Sequence, residues 1–281
     1  MRTVELVSGI RSSALGFGCA PILGAVDGKK AQWALEWAIE HGITHFDLAR
    51  SYGYGEAERF VGKVVKGRRD KVVLASKFGI RANWKAQLMR PLKPLARLAR
   101  TQLRKSPSAE IGVKGGGVSP VSDNFLDRIP LRGKGMRSSL EQSLRALNTS
   151  YLDCFFIHEP LESLLYFDEL AATAEQLKVE GKIRAWGLAY MRVQAPFHHT
   201  YIHNFDLLQF DNSPGTPGYD TAVSERGGQP NIIFSPLRGG SQELSPAEKL
   251  GKLFNDFPNS VVLCSMFNEQ HLKENIRLIN D

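Results

Sequence analysis

The chain has 281 residues, 42% of them apolar, and a net charge of +7, which is too short for two generous domains and slightly longer than the roughly 250 residues of a plain eight-stranded α/β barrel. No run approaches the ~20 consecutive apolar residues of a membrane span, and Met1-Arg2-Thr3-Val4-Glu5 is not followed by an apolar stretch, so no signal peptide is expected and a cytoplasmic protein is. Cys19, Cys154 and Cys264 show no paired spacing, which argues against a disulfide framework or a zinc site and for buried reduced thiols.

In chain order, Leu15 to Cys19 reads as a short buried strand. Lys30 to His41 follows as a helix with an apolar face at Ala31, Ala34, Trp37 and Ala38, stopped by Gly42. Ile43 to Asp47 is a strand, Gly55 to Val65 a helix and Val72 to Ala75 a third strand. A helix over about 135–147 leads to a strand at Leu152 to Ile157. A helix over about 168–180 ends at Gly181 before a strand at Ile183 to Gly187. A weaker helix around 192–203 precedes a strand at Leu207 to Phe210. Between Phe210 and Ile232, residues Pro214, Gly215, Pro217 and Gly218 look loop-like. Ile232 to Phe234 and Val261 to Cys264 are the last two strands.

Eight strands alternating with helices predict parallel βαβ units closed into a single (β/α)₈ (TIM) barrel domain over 1–281, with its site at the C-terminal strand ends. An open doubly wound sheet is the competing architecture, but no G-x-G-x-x-G follows the first strand. The barrel carries a long basic insertion after strand three. Residues 80–134 hold twelve Lys and Arg against three acids, a local charge of +9 in a chain whose remainder is −2. Much of Trp84 to Leu103 has the spacing of an amphipathic basic helix, with Pro91 and Pro94 breaking its start, and the glycine-rich 111–124 reads as a flexible link. The insertion is expected to form a cover over the catalytic rim. The rival reading is a surface for membranes or acidic partners. His198, His199 and His203 contain an i, i+4 pair, but no carboxylate or cysteine joins them, so a solvated face and no metal site are expected.

Four polar residues fall at or just after strand ends: Asp47, Tyr52, Lys77 and His158. A phenol holds its proton up to about pH 10, and a nearby ammonium is expected to lower that value, which assigns Lys77 to tuning Tyr52. Asp47 would keep the lysine charged and in place. His158 would hydrogen-bond a substrate carbonyl or help relay the proton.

The run Gly42-Ile43-Thr44-His45-Phe46-Asp47 with Ala49, Tyr52-Gly53 and Glu56 resembles the aspartate–tyrosine signature of the aldo/keto reductase family. Ser76-Lys77-Phe78-Gly79 resembles its lysine motif and Asp153 to Pro160 its histidine motif. Glu180 to Arg184 with Trp186-Gly187, Phe234 to Leu237 and Leu272 to Asn275 are similar to further family segments. The resemblance implies a nicotinamide-dependent oxidoreductase acting on a small carbonyl or alcohol (aldehyde, ketone or sugar), with Tyr52 as general acid. It implies NADP as cofactor, with NAD as the alternative, lying across the barrel top. Gln209 would hold the carboxamide, Phe234 would stack on the nicotinamide ring, and Ser235 and Leu237 would offer backbone N–H groups to pyrophosphate. Arg238, Ser265, Phe267, His271, Glu274 and Asn275 would meet the adenosine end. No nucleic-acid partner is implied, and the oligomeric state is left open. The chain departs from the family at Ala189 and Tyr190, where Ser-Asn usually binds the carboxamide. That departure predicts at least one missing hydrogen bond, unless the Tyr190 hydroxyl replaces it. It also motivates the alternative of a catalytically weak, nucleotide-binding regulatory or partner-binding subunit.

Overall fold

The computed structural model describes residues 1–89 and 124–280. A hairpin of β1 (Thr3–Val7) and β2 (Ile10–Ser13) comes first. Eight parallel strands then close a barrel: β3 (Leu15–Gly18), β4 (His45–Asp47), β5 (Val73–Phe78), β8 (Leu152–His158), β9 (Ile183–Tyr190), β10 (Leu207–Asp211), β11 (Asn231–Phe234) and β12 (Val261–Cys264), with β12 pairing back onto β3. Around them lie α1 (Gly28–Glu40), α2 (Ala57–Val64), α4 (Gly133–Leu147), α5 (Phe167–Val179), α6 (Tyr219–Arg226), α7 (Pro246–Asp256) and α8 (Glu269–Asn280). Local chemistry sets the helix ends. The Asp27 side chain caps α1 by accepting from the Lys30 N–H at 3.0 Å, and Ser245 with Glu248 forms a reciprocal capping box ahead of α7, with Pro246 at its first position.

The strand period of two separates the barrel interior from the helix layer. Along β9, Ala185 and Ala189 join the inner cluster with Val73, Ala75, Cys154 and Phe156, while Trp186, Leu188 and Tyr190 face the helices. Gly187 lies on the inner face for want of room: a Cβ there would stand 2.5 Å from the Phe156 ring and also meet the Leu207 carbonyl.

Five differences from the sequence reading have local causes. The hairpin was not expected, yet Val4, Leu6 and Ile10 pack into the inner cluster and close the N-terminal end of the barrel. β8 runs on to His158 and β9 to Tyr190. The weak helix over 192–203 is two 3₁₀ turns, Arg192–Phe197 and Ile202–Asn204, with Pro196 unable to donate an N–H. α6 forms directly after the loop at Pro214–Gly218, entered through Gly218 at φ 72°. Finally, His198 is fully buried with Nδ1 2.7 Å from the Tyr201 hydroxyl, so only His199 and His203 of that group are exposed.

The insertion after β5 leaves and returns through a two-stranded antiparallel stem, β6 (Ile80–Ala82) with β7 (Leu126–Arg128). On it sits α3 (Trp84–Met89), whose Ala86 N–H donates to the Asn83 side chain at 3.1 Å. The rest of the expected amphipathic stretch, and the glycine-rich link apart from Asn124, lie outside the described residues. Among the described residues no helix is long and apolar enough to cross a membrane.

His45 gives the fold an expected pH dependence. Its ring is fully buried; Nδ1 lies 3.2 Å from the Ser12 hydroxyl and Nε2 has no partner. Burial lowers its pKa from 6.5 to about 4. The unfolded chain takes up this proton near 6.5 and the folded chain only near 4, so stability is intact above pH 6.5 and falls as pH drops toward 4, by about 3 kcal/mol. Urea unfolding of wild type and His45→Gln at pH 7 and pH 4.5 checks this: the wild type should lose more stability than the variant. Equal losses would exclude His45 as the cause.

Candidate active site

At the C-terminal mouth, β4 and β5 lie side by side in register, with Asp47 opposite Ala75. This brings the Asp47 and Lys77 side chains together. Lys77 Nζ donates to Asp47 Oδ1 at 2.8 Å, to Oδ2 at 2.6 Å and to the Leu48 carbonyl at 2.8 Å. Both residues are buried, so each charge needs the other. The strand carrying Lys77 is fixed from behind. Ser76 donates to Glu58 at 2.7 Å, Arg50 pairs with Glu58 at 2.8 Å, and Arg50 also reaches Gln142 at 2.7 Å.

Tyr52 stands in the loop after β4, in a 3₁₀ turn over Tyr52–Tyr54. Gly53 makes this turn possible: it sits at φ 60°, and a Cβ there would lie 2.6 Å from the Ile22 carbonyl. Lys77 Nζ lies 3.4 Å from the Tyr52 hydroxyl, and the Tyr52 ring meets His158 edge-on with centroids 6.1 Å apart. The four residues singled out in the sequence therefore converge. Lys77 is not the only influence on the phenol, however. The lysine's shortest contacts go to Asp47 and Leu48, so its longer contact with Tyr52 does not outweigh burial and the Asp47 carboxylate. Burial first, then Asp47, Glu159 and Cys19, holds the Tyr52 phenol well above its ordinary value. Burial, reinforced by Lys77 and Arg128, pushes His158 well below its ordinary value, so its ring is neutral near pH 7. His158 Nδ1 is buried without a partner.

The remaining expected positions run from β10 to α8. Gln209 on β10 is buried; its Nε2 donates to Asp47 Oδ1 at 3.0 Å, while its Oε1 has no partner. Phe234 ends β11 half-buried against the inner cluster. Ser235 follows in the left-handed region at φ 54°, and Leu237 and Arg238 are exposed beyond it. Ser265, just past β12, is exposed and donates to the Gly18 carbonyl at 2.9 Å. On α8, His271 and Glu274 are exposed and Asn275 half-buried, with Glu274 accepting from Gln270 at 2.8 Å. Phe267 differs: its ring is buried edge-on against Phe17 at 5.1 Å, so it serves the core and offers no side-chain face. Tyr190 is also redirected. It lies in the helix layer beside His198 and Phe210, so its hydroxyl cannot replace the missing contact at Ala189.

Sequence reasoning did not assign Glu159, Arg192 or Lys249. Arg192 donates to the Asp211, Gly218 and Pro217 carbonyls and to the Thr216 hydroxyl, tying the loop after β10 to the end of β9. The buried Lys249 donates to the Gly239 carbonyl at 2.8 Å, holding the loop after β11. Neither bond has a local sequence signal. A pocket of about 370 Å³ opens beside His158, between Arg128–Arg132 of the insertion's return and Pro160–Tyr166.

The aldo/keto reductase family model matches residues 14–195. The chain is 28% identical over 193 residues to aldo-keto reductase YhdN of Bacillus subtilis, covering 66% of this chain and 46% of that protein. It is 30% identical over 156 residues to methylglyoxal reductase YeaE of Escherichia coli, covering 56% and 37%. It is 26% identical over 257 residues to 6-dehydroglucose reductase of Agrobacterium fabrum, covering 86% and 73%. The chain thus spans less than half the length of the first two relatives. In fold it is similar to the holo form of aldo-keto reductase AKR11C1 from Bacillus halodurans, with a TM-score of 0.70, 21% identity and coverage of 100% and 91%. It is also similar to an aldo-keto reductase of Klebsiella pneumoniae in complex with NADPH, with a TM-score of 0.65, 20% identity and coverage of 100% and 90%. Since the family model spans more than half of its length, this chain belongs to the aldo/keto reductase family of oxidoreductases.

Proposed function

We propose that the chain is an NADP(H)-dependent oxidoreductase, with NAD(H) as the alternative cofactor, that reduces small aldehydes or ketones, or oxidises the corresponding alcohols or sugars. The observation that carries this reading is the convergence of Tyr52, Lys77, Asp47 and His158 at the C-terminal mouth. A dinucleotide fits the residues there. Gln209 Oε1 is a buried acceptor with no partner and would take a carboxamide N–H. Phe234, at the end of the neighbouring strand β11, is half-buried, as is Ser235 after it, and Leu237 and Arg238 are exposed in the loop that follows. When bound, the reduced nicotinamide supplies hydride.

The protein's part follows from its own groups. Tyr52 keeps its proton through neutral pH and gives it to the carbonyl oxygen as negative charge develops there. Neutral His158 holds that oxygen by a hydrogen bond. Lys77, fixed by Asp47, steadies the phenolate that remains. In the oxidative direction Tyr52 must first lose its proton, so oxidation should gain rate as pH rises. A panel of aldehydes with NADPH and NADH, followed by absorbance of the reduced nicotinamide, tests the reading; cofactor binding without turnover on any carbonyl would favour the regulatory alternative, which Ala189 supports by withholding a carboxamide hydrogen bond.

Because Ala189 faces inward and Tyr190 outward, the two positions should answer differently. Ala189→Ser should tighten cofactor binding by roughly 2–13-fold, the worth of one net hydrogen bond. Tyr190→Asn should leave affinity unimproved and lower stability by roughly 3 kcal/mol through a hole beside Phe210 and His198. Titration of both variants by cofactor fluorescence, alongside urea unfolding, checks the pair.

A further inference from the structure

The pocket of about 370 Å³ beside His158 has no task in the proton chemistry. It falls at the small end of the roughly 300–1,000 Å³ usual for small-molecule sites. One wall is the return of the insertion, residues 128–132, and the other is the loop after β8, residues 160–166. Gly79 lets the first wall close on the site. It sits at φ 118°, and a Cβ there would stand 3.1 Å from Leu131 Cδ2 and 3.3 Å from the His158 carbonyl, so bare backbone is what allows Leu131 to lie beside His158.

Both walls are fixed by bonds of the protein itself. The Ile129 N–H donates to the Gly79 carbonyl at 2.9 Å, and Arg128 donates to the Glu159 carbonyl at 2.7 Å. Opposite, the Leu164 N–H donates to the Tyr201 hydroxyl at 2.8 Å and Ser163 donates to the Phe197 carbonyl at 2.6 Å. Arg132 ties one wall to the other: its guanidinium lies 3.7 Å from the centre of the Tyr166 ring and pairs with Glu169 at 2.6 Å. Arg128, Arg132 and Ser163 are thereby engaged with the protein, and Glu162 is exposed. The side chains left to face a ligand beside His158 are apolar, Leu131 from one wall and Leu161, Leu164 and Leu165 from the other. Leu161 and Leu165 are largely exposed, and large apolar side chains gathered at the rim of a pocket mark a binding surface.

We propose that this pocket seats an apolar side chain of the substrate, so that the chain prefers uncharged aldehydes or ketones carrying an alkyl or aryl group over hydroxylated ones, and that Leu131 and Leu161 set this preference from opposite walls. This rests on the carbonyl-reductase reading above and narrows it. An alkyl group leaves water for a lining of leucines, whereas a hydroxyl placed there loses its water without gaining a partner.

The test compares kcat/KM for propanal, hexanal and glyceraldehyde in wild type, Leu131→Ser and Leu161→Ser with NADPH. A fully buried methylene is worth about fourfold and a half-buried one about twofold. Hexanal, three methylenes longer, should therefore exceed propanal by roughly 8–60-fold in the wild type, mainly through KM, and glyceraldehyde should fall below hexanal. The hexanal-to-propanal ratio should drop at least about threefold in each variant, through KM and not kcat. Equal values for hexanal and propanal in the wild type, a preference for glyceraldehyde over hexanal, or a ratio unchanged in both variants would overturn the inference while leaving the reductase reading intact. No turnover of any of the three compounds by the wild type would remove the reductase reading and the inference with it. If Leu131→Ser does not fold, the exposed Leu161→Ser decides.

Discussion

Tyr52→Phe is expected to lower kcat for carbonyl reduction by about 10²–10⁴-fold, the usual contribution of a positioned general acid, and to leave the cofactor dissociation constant within roughly twofold of wild type. The phenol is the group that can give a proton at this mouth near neutral pH. Its pKa is raised by burial first and by Asp47 next, and the neighbouring imidazole is neutral because burial lowers its own value. The wild-type reduction rate should therefore stay flat from pH 6 to 9. Oxidation needs the phenolate and should climb with pH over the same range. Steady-state rates in both directions across that range check the assignment. A variant that keeps the wild-type kcat on its best substrate would remove Tyr52 from the chemistry.

The second large effect is expected at the ion pair beneath it. Asp47→Leu leaves the ammonium of Lys77, itself 2% exposed, without its two shortest contacts, and frees Gln209 Nε2 as well. Breaking a buried pair from one side costs about 3–5 kcal/mol, so the variant should unfold at markedly lower urea concentration. Lys77→Met alone leaves the Asp47 carboxylate without its cation, with only the Gln209 amide donating to it, raises the phenol further and should move the oxidation profile to higher pH. The double variant Asp47→Leu, Lys77→Met has no orphaned charge. It should recover much of the lost stability without recovering activity, a split that a purely structural pair cannot produce. Urea unfolding and turnover of the three proteins form the cycle. Additive losses in stability would show that the two side chains do not act as a unit.

The alternation of apolar strands with amphipathic helices was enough to read the barrel, because each strand is short, buried and flanked by turn residues. The reactive residues were legible for a related reason: Asp47, Lys77 and His158 each end an apolar run, and a barrel gathers strand ends at one rim. What escaped depends on geometry that the period does not carry. β9 was expected to stop at Gly187 but continues to Tyr190; the extra residues alternate in facing, which sends Ala189 inward and Tyr190 outward. The competition of Asp47, Leu48 and Tyr52 for one ammonium is a matter of distances, and the burial that raises the Tyr52 phenol has no signal in the sequence. Phe267 and His198 are buried through contacts with Phe17 and Tyr201, and no spacing rule reports those partners. The hairpin did have a signal, the alternation of Val4, Glu5 and Leu6 before Gly9, the turn residue at φ 79°, but it is only a few residues long.

The central claim is that hydride passes to a carbonyl carbon while Tyr52 gives the proton. It is tested most directly by single turnover with NADPH deuterated at the transferring position, followed by mass spectrometry of the product alcohol. One deuterium should appear on the carbinol carbon for each cofactor oxidised, and its appearance should slow by about 10²–10⁴-fold in Tyr52→Phe. Cofactor oxidation without deuterium in the product, or transfer at the wild-type rate in Tyr52→Phe, would contradict the account.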